Sequence, residues 1–193
     1  MADDPHAFLK ERLRKALRGR RRTLAAESPH AAAEAAALLP LDRLPPFQVV
    51  SGYHPLGAEL DPGPLMARFE EAGATLALPV ALDRGTPLVF RALGHPLTPD
   101  ALSIPAPPPG APEVLPDIVI APVLAFDRDG GRLGQGAGHY DRTLANLRAV
   151  RSVFVIGLAY AGQEVERVPS ERHDQRMDAI LTEIGYSEVR KDT

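Results

Sequence analysis

The stretch DIVIAPVLAFDRDGGRLGQGAGHYDRTLANLRAVRSVFVIGLA, residues 117–159, decides the fold. It contains two short apolar runs, residues 117–121 and 153–159, of the kind that forms buried strands. The residues between these runs predict a helix from about Tyr140 to Ala149. Strand, helix and strand at this spacing predict a βαβ unit, and therefore a parallel or mixed sheet that is covered by helices.

The rest of the chain adds further short elements to this unit. Proline at the first helical position predicts helices that start at Asp4-Pro5, at Ser28-Pro29 and at Asp61-Pro62, the last ending near Gly73. Strand-like patterns cover residues 47–53, 74–80 and 87–93, and a proline-rich extended connector covers residues 105–116. We expect one domain over residues 1–193, with a helical N-terminal segment, residues 1–40, packed on it.

The composition excludes several classes of protein. The 193 residues include no cysteine, which excludes a disulfide scaffold, thiolate zinc sites and a cysteine nucleophile. The net charge of −3 gives no global basic field, and no uncharged apolar run reaches the roughly 18 residues that a membrane span needs. The N-terminal region is also a poor match to a signal peptide. We therefore expect a cytoplasmic protein with no membrane partner.

A glycine-rich loop, GGRLGQGAGHYD at residues 130–141, follows a predicted strand and opens the predicted helix. Its free N–H groups, the helix N-terminus and the positive charge of Arg132 predict an anion site for which phosphate is the natural ligand. The loop lacks the Gly-Lys-Ser/Thr of a Walker loop, and His139 stands where the dinucleotide fingerprint has its last glycine. A Rossmann oxidoreductase is therefore disfavoured. The alternative to an anion site is that this segment is a flexible surface turn.

Two further features lie near this loop in the predicted fold. Asp141 follows the glycines and Asp174 lies beyond the next strand, and one or two carboxylates typically hold magnesium that is bound to phosphate. Helix capping or solvent exposure is the alternative for each aspartate. His54 and Glu59 lie on a loop after the first predicted strand, where binding residues concentrate.

The first helix is strongly basic, with eight basic residues and one acid between Lys10 and Arg22. Lys10 and Arg14 are one helical turn apart and could meet a polyphosphate. The alternatives are a solvated face, which is the usual explanation of a charge run, and a nucleic-acid surface.

Together these segments resemble the 5-formyltetrahydrofolate cyclo-ligase (methenyltetrahydrofolate synthetase) family. The resemblance covers most of the chain, and several blocks occur along it in the family's order. The blocks are Lys10-Glu-Arg-Leu-Arg14, Tyr53-His-Pro55, Glu59-Leu-Asp-Pro-Gly-Pro-Leu65, Asp117-Ile-Val-Ile-Ala-Pro122, Ala125-Phe-Asp127, Arg132 to Arg142, Gln163, Pro169, Glu171-Arg-His-Asp174 and Asp178-Ala-Ile-Leu-Thr-Glu183.

The resemblance implies a three-layer α/β/α sandwich with a mixed, mainly parallel sheet, of the sugar-isomerase and CoA-transferase type. It implies a ligase that uses ATP to close 5-formyltetrahydrofolate to 5,10-methenyltetrahydrofolate, through a phosphorylated formyl group, with release of ADP and phosphate. The expected partners are folate and ATP, with Mg2+ as cofactor, no nucleic acid, and a monomeric chain. The alternatives are a non-catalytic folate- or nucleotide-binding paralogue of the same fold and an RNA-binding protein that uses the basic helix.

The resemblance also assigns site residues, although no catalytic residue among them. The implied ATP-binding residues are Lys10, Arg14, Arg132, Leu133, Gly134, Gln135, Gly136, Ala137, Gly138, His139 and Tyr140. The implied folate-binding residues are His54, Glu59, Gln135, Gly136, Ala137, Gly138 and His139, and the implied magnesium ligands are Asp141 and Asp174. His139 stands where the family usually has tyrosine, so we expect an altered substrate affinity or pH dependence.

Overall fold

The computed structural model describes the backbone of residues 5–189 and the side chains of residues 11–189. The α-helices in this part of the chain are α1 (Pro5–Glu27), α2 (Ala31–Leu38), α3 (Gly63–Glu71) and α4 (His139–Val150). The strands there are β1 (Val49–Ser51), β2 (Thr75–Val80), β3 (Val89–Ala92), β4 (Thr98–Pro99), β5 (Pro105–Ala106), β6 (Ile118–Pro122), β7 (Ala125–Phe126), β8 (Arg132–Leu133), β9 (Phe154–Leu158), β10 (Ala179–Thr182) and β11 (Gly185–Glu188). Over the same residues, none of the helices has both the length and the apolar character that crossing a bilayer requires.

Seven of these strands form the main sheet, in the order β11-β10-β9-β6-β1-β2-β3. The five central strands are parallel to their neighbours, whereas the edge strands β11 and β3 run antiparallel. The predicted βαβ unit is present as β6, α4 and β9, with Ile118 paired to Phe154 and Ile120 to Ile156. A mixed, mainly parallel α/β fold is thereby confirmed.

Helices cover both faces of this sheet, because successive side chains of its buried strands point to opposite sides. Ile118 and Ile120 of β6 pack into a core with α2 and α3, whereas Val119 and Ala121 pack into a second core with α4. Each of these four side chains is fully buried. The result is the three-layer arrangement that the resemblance implies.

The hairpin formed by β7 and β8 lies outside the main sheet and follows β6. It includes the first residues of the glycine-rich loop, 130–133, and residues 134–138 of the loop then lead into α4. A third, smaller core joins this hairpin to the first helix, where Leu17 of α1 is buried together with Leu124 and Leu133. Helix α1 is therefore fixed beside the loop that follows β8, at the carboxyl ends of the parallel strands.

Several predicted elements are shorter or more paired than the sequence pattern indicates. The strand predicted over residues 47–53 is reduced to β1, and the second helix begins at Ala31 because Pro29 and His30 form a turn before it. The proline-rich connector begins with β5, which pairs with β4, so it is not extended chain throughout. Asp4, which the sequence pattern predicts as the cap of the first helix, lies outside the described residues.

Gly130 tests how tightly the hairpin turn is built. It has φ +79°, and a Cβ there would lie 2.7 Å from the backbone oxygen of Met177. Gly73 has a similar φ of +91° but no atom within 4 Å of its Cβ position. We expect Gly73→Ala to lower the free energy of unfolding by about 1 kcal/mol, the cost of the backbone conformation alone. Gly130→Ala should lower it by about 2–4 kcal/mol, because the clash adds to that cost. Denaturant unfolding of the two variants measures the difference, and equal losses would contradict this account of the turn.

Candidate functional site

A cavity of about 510 Å³ opens at the carboxyl ends of the parallel strands. Its walls come from α1, the loop after β1, the glycine-rich loop before α4, and the segment that includes residues 171–174. Its volume lies within the range of small-molecule sites, which is roughly 300–1,000 Å³. Ligands of open α/β sheets bind at this edge, so the cavity is the candidate functional site.

The buried carboxylate of Asp127 shapes the hairpin that leads to the glycine-rich loop. Its Oδ1 accepts hydrogen bonds from the backbone N–H groups of Gly131 (2.7 Å) and Asp129 (3.1 Å), and its Oδ2 accepts one from Val168 (2.8 Å). Three backbone donors stabilise a carboxylate that is removed from water. Asp127 therefore fixes the turn between β7 and β8, and its role is structural.

The glycine-rich loop has a conformation that favours glycine at two positions. Gly136 has φ +107°, and Gly138 has φ +66° at the start of α4. Two arginines lie against the loop: Arg14 Nε donates to the carbonyl oxygen of Gly134 (3.1 Å), and Arg142 Nη2 donates to that of Ala137 (2.8 Å). The backbone is thus held by cationic side chains at the mouth of a helix N-terminus, which favours an anionic ligand.

A third arginine, Arg132, is fixed beside this loop by Asp141. Arg132 Nη2 donates to Asp141 Oδ1 over 2.6 Å, and the backbone N–H of Gln175 donates to the same oxygen over 3.0 Å. The Arg132 side chain is only 4% exposed, and its guanidinium lies 5.5 Å from the ring centroid of Tyr140. Ion pair and ring contact together hold the guanidinium in one place in the cavity wall.

Another part of the cavity wall is formed by the loop after β1. Glu59 Oε2 accepts a hydrogen bond from the backbone N–H of Leu56 (2.9 Å), and Glu59 Oε1 lies 3.4 Å from Arg21 Nη1. The Tyr53 hydroxyl donates to the carbonyl oxygen of Leu60, which fixes the end of the same loop. Apolar side chains also line the cavity, namely Leu56, Leu88, Leu102 and Ile104.

All the site residues predicted from the sequence whose side chains the structure describes line this one cavity. They are Arg14, His54, Glu59, Arg132, Leu133, Gly134, Gln135, Gly136, Ala137, Gly138, His139, Tyr140, Asp141 and Asp174. The side chain of Lys10 lies outside the described residues. These residues have further contacts: His139 Nδ1 lies 3.1 Å from the carbonyl oxygen of Thr86, Asp174 Oδ2 accepts a hydrogen bond from the Glu171 N–H (2.8 Å), and Gln135 Oε1 accepts one from Arg18 Nε (3.2 Å).

The sequence pattern did not identify every residue of the cavity wall. Arg21 was counted with the basic face of α1, but it is 6% exposed and lines the cavity. It lies four residues after Leu17 and three before Leu24, so helical spacing alone could have placed it on the packed face. Tyr53 and the segment at Leu102 and Ile104 were also missed, and the pattern of that segment contains no comparable signal.

Comparison with known proteins agrees with this architecture. The model of the 5-formyltetrahydrofolate cyclo-ligase family matches residues 8–183. The 5-formyltetrahydrofolate cyclo-ligase of Mycolicibacterium smegmatis is 36% identical over 144 residues, which are 70% of this chain and 73% of that protein. The Escherichia coli K12 protein of the same name is 33% identical over 175 residues, 86% of this chain and 96% of that protein.

A solved structure extends the comparison to the fold. The NMR structure of Aquifex aeolicus 5,10-methenyltetrahydrofolate synthetase superposes with a TM-score of 0.76 at 27% sequence identity, covering 96% of this chain and 95% of that chain. The fold defines an α/β protein with a candidate site at the carboxyl edge of the sheet. The chain belongs to the 5-formyltetrahydrofolate cyclo-ligase family, and it is accordingly a ligase.

The four tyrosines of the chain, two of which line the cavity, provide a test of how far their hydroxyl groups are removed from water. Burial, and then the charge of Glu59, raise the pKa of Tyr53 and of Tyr140 well above 10. Burial also raises the pKa of Tyr160, and it raises that of Tyr186 to about 12. At pH 10 we expect less tyrosinate absorbance from the native protein than from the protein in denaturant, whose tyrosines should be about half ionised.

The same shifts predict how stability depends on pH. Above pH 10 the unfolded chain loses tyrosine protons that the native chain keeps, so the free energy of unfolding should fall as the pH rises. Denaturant unfolding at pH 9, 10 and 11 measures the slope. A native protein with ordinary tyrosinate absorbance at pH 10 would show that these hydroxyls are accessible to solvent.

Proposed function

We propose that this protein uses ATP to cyclise 5-formyltetrahydrofolate to 5,10-methenyltetrahydrofolate, releasing ADP and phosphate. The observation that carries the proposal is that a single cavity is lined by a cationic, glycine-rich loop and also by a carboxylate and apolar side chains. The first suits a polyphosphate and the second suits a ring system with N–H donors. The names of the relatives support the same reaction.

The polyphosphate would bind along the glycine-rich loop. The N-terminus of α4, the guanidinium of Arg132 and that of Arg14 all lie at this wall, and each attracts a phosphate oxygen. Arg14 already donates Nε to the loop carbonyl of Gly134, so its charge is held close to the backbone that a phosphate would approach. Lys10, one turn before Arg14, is assigned to the same ligand by the resemblance.

The folate would bind beside His54, at the part of the cavity wall that is formed by the loop after β1. The carboxylate of Glu59 can accept hydrogen bonds from the amino group and the neighbouring ring N–H of a pterin, because carboxylate oxygens accept several hydrogen bonds each. The apolar side chains of Leu88, Leu102 and Ile104 can cover the ring faces of the ligand. The shared residues of the glycine-rich loop, Gln135 to His139, would then lie between the two substrates.

The residues present fit a magnesium ion that is bound mainly by phosphate. Among the described side chains, no group of three or more His, Asp or Glu residues is arranged to hold a metal. Asp141 and Asp174 both line the cavity, however, and one or two carboxylates with phosphate oxygens are the usual magnesium environment. Bound there, the ion would neutralise phosphate charge. Asp141 accepts the hydrogen bonds from Arg132 and from Gln175 through Oδ1, so neither of them occupies Oδ2.

In the proposed reaction the formyl oxygen attacks the γ-phosphorus of ATP, and ADP leaves. N10 then attacks the activated formyl carbon, N10 loses its proton, and the former formyl oxygen departs with the phosphate. The arginines would hold the phosphates in line with the formyl group and stabilise the charge that moves through them. Positioning and charge stabilisation supply most of the catalysis in such a transfer, so the proposal needs no nucleophilic side chain.

The direct test mixes the purified protein with 5-formyltetrahydrofolate, ATP and magnesium, and follows the near-ultraviolet absorbance of the methenyl product. The increase should require all three additions. A flat trace from folded protein that still binds ATP and folate in calorimetry would favour the binding-only paralogue over the enzyme.

Asp141→Asn tests the proposed metal role, because an asparagine keeps Oδ1 as an acceptor for Arg132 and Gln175 but removes the negative charge. We expect the magnesium concentration for half-maximal rate to rise about tenfold or more, with the folate affinity changed less than about twofold. Asp42→Asn removes a charge from an exposed turn and is the matched control. Loss of folate affinity at an unchanged magnesium requirement would assign Asp141 to the folate instead.

Gly136→Val tests the proposed phosphate site. A Cβ at this position would lie 3.1 Å from Arg14 Cζ, and φ is +107°. We expect ATP affinity to fall about tenfold or more, because valine strains the loop and displaces the guanidinium. Gly94→Val is the control, because Gly94 has φ +120° with no atom within 4 Å of its Cβ position and lies outside the cavity. Tight ATP binding by a folded Gly136→Val protein would refute the placement of the phosphates.

A further inference from the structure

The ion pair between Arg21 and Glu59 is buried on both sides. Arg21 Nη1 lies 3.4 Å from Glu59 Oε1, and the two side chains are only 8% and 6% exposed. Arg21 belongs to α1 and Glu59 to the loop after β1, and both line the cavity. A pair this far from water interacts strongly, and removing one partner leaves the other charge buried and uncompensated.

The contacts of Glu59 leave part of its carboxylate available to a ligand. Oε1 faces Arg21, and Oε2 accepts the backbone N–H of Leu56. A carboxylate has about four acceptor positions, two on each oxygen, so one position on each oxygen remains. These two positions match a ligand edge with two adjacent N–H donors, provided that the carboxylate does not rotate.

Arg21 has an incomplete set of contacts of its own. Its Nε is buried and has no hydrogen-bond partner among the described residues. A buried donor without a partner is costly, and a buried ion pair is by itself weak support for stability. An arginine at this position is therefore better explained by what its charge does to Glu59 than by a contribution to the stability of the fold.

We propose that Arg21 is a positioning residue for folate recognition: its guanidinium holds the Glu59 carboxylate in one orientation, with an acceptor position on each oxygen directed to the pterin. Arg21 does not touch the reacting atoms. The proposal rests on the proposed function, since it takes Glu59 as the group that binds the pterin. It also gives α1 a role at the loop after β1 as well as at the glycine-rich loop, which Arg14 of the same helix contacts.

The test measures the binding of 5-formyltetrahydrofolate and of ATP separately by calorimetry, in the wild-type protein and in Arg21→Met. We expect the folate dissociation constant to rise about tenfold or more, because the charge partner of a buried carboxylate is lost. The ATP dissociation constant should change less than about twofold, because the contacts of Arg14 and Arg132 remain. Arg21→Lys should recover a part of the folate affinity, because it restores the charge.

Arg22→Met is the matched control, since it removes the same group from the next, exposed position of α1 and should leave both dissociation constants unchanged. If Arg21→Met does not fold, Arg21→Gln replaces it, with the same expectation of a selective loss of folate affinity. Equal losses of folate and ATP affinity would make Arg21 a structural residue and overturn the proposal. So would an Arg21→Lys protein that binds folate no better than Arg21→Met.

Glu59→Gln separates this proposal from the function on which it rests. If Glu59→Gln loses folate affinity and Arg21→Met does not, the folate site is correctly placed and the role of Arg21 is wrong. If neither variant changes folate binding, the placement of the folate itself is wrong. If both lose folate affinity and the double variant is no weaker than the single ones, the two residues act as one unit, as proposed.

Discussion

The parallel pairing of β6 with β9 is the constraint on which the site depends. Parallel neighbours require a crossover connection, and here that connection contains the hairpin, the glycine-rich loop and α4. The loop must therefore emerge at the carboxyl end of β6. Because β1 is the parallel neighbour of β6 on its other side, the loop that carries Glu59 reaches the same edge. The positions of the glycine-rich loop and of the Glu59 loop beside the cavity thus follow from the order of the adjacent strands β9, β6 and β1.

The fold could be predicted where the chain has strong local patterns. The apolar runs of β6 and β9 and the periodic residues between them were sufficient to identify the βαβ unit, and the mixed sheet is confirmed. The hairpin strands β7 and β8 have two residues each, too few for a recognisable alternation. Their geometry is set instead by the carboxylate of Asp127, whose contact with Val168 joins residues 41 positions apart.

The candidate site was predictable to a similar extent, for a related reason. The residues from Arg132 to Asp141 are contiguous, so their composition predicted an anion site before any contact was known, and these residues line the cavity together. Arg21 stands in a run of three arginines, and its partner Glu59 lies 38 residues away. Charge density along the chain suggested a solvated helix face, whereas the spacing of Leu17 and Leu24 around Arg21 was the more informative signal. Packing decides which arginine of such a run enters a cavity.

The position of α1 has a consequence for the order in which the site can be assembled during synthesis. Arg21 and Glu59 are only 38 residues apart, so they are synthesised within a short interval of each other. Arg14 and Gly134, in contrast, are 120 residues apart, and the strand that pairs β6 into the centre of the sheet is synthesised later still. Helix α1 can therefore contact the loop that carries Glu59 long before it can contact the glycine-rich loop. The contact of Arg14 with Gly134 can form only after residue 134 has been made.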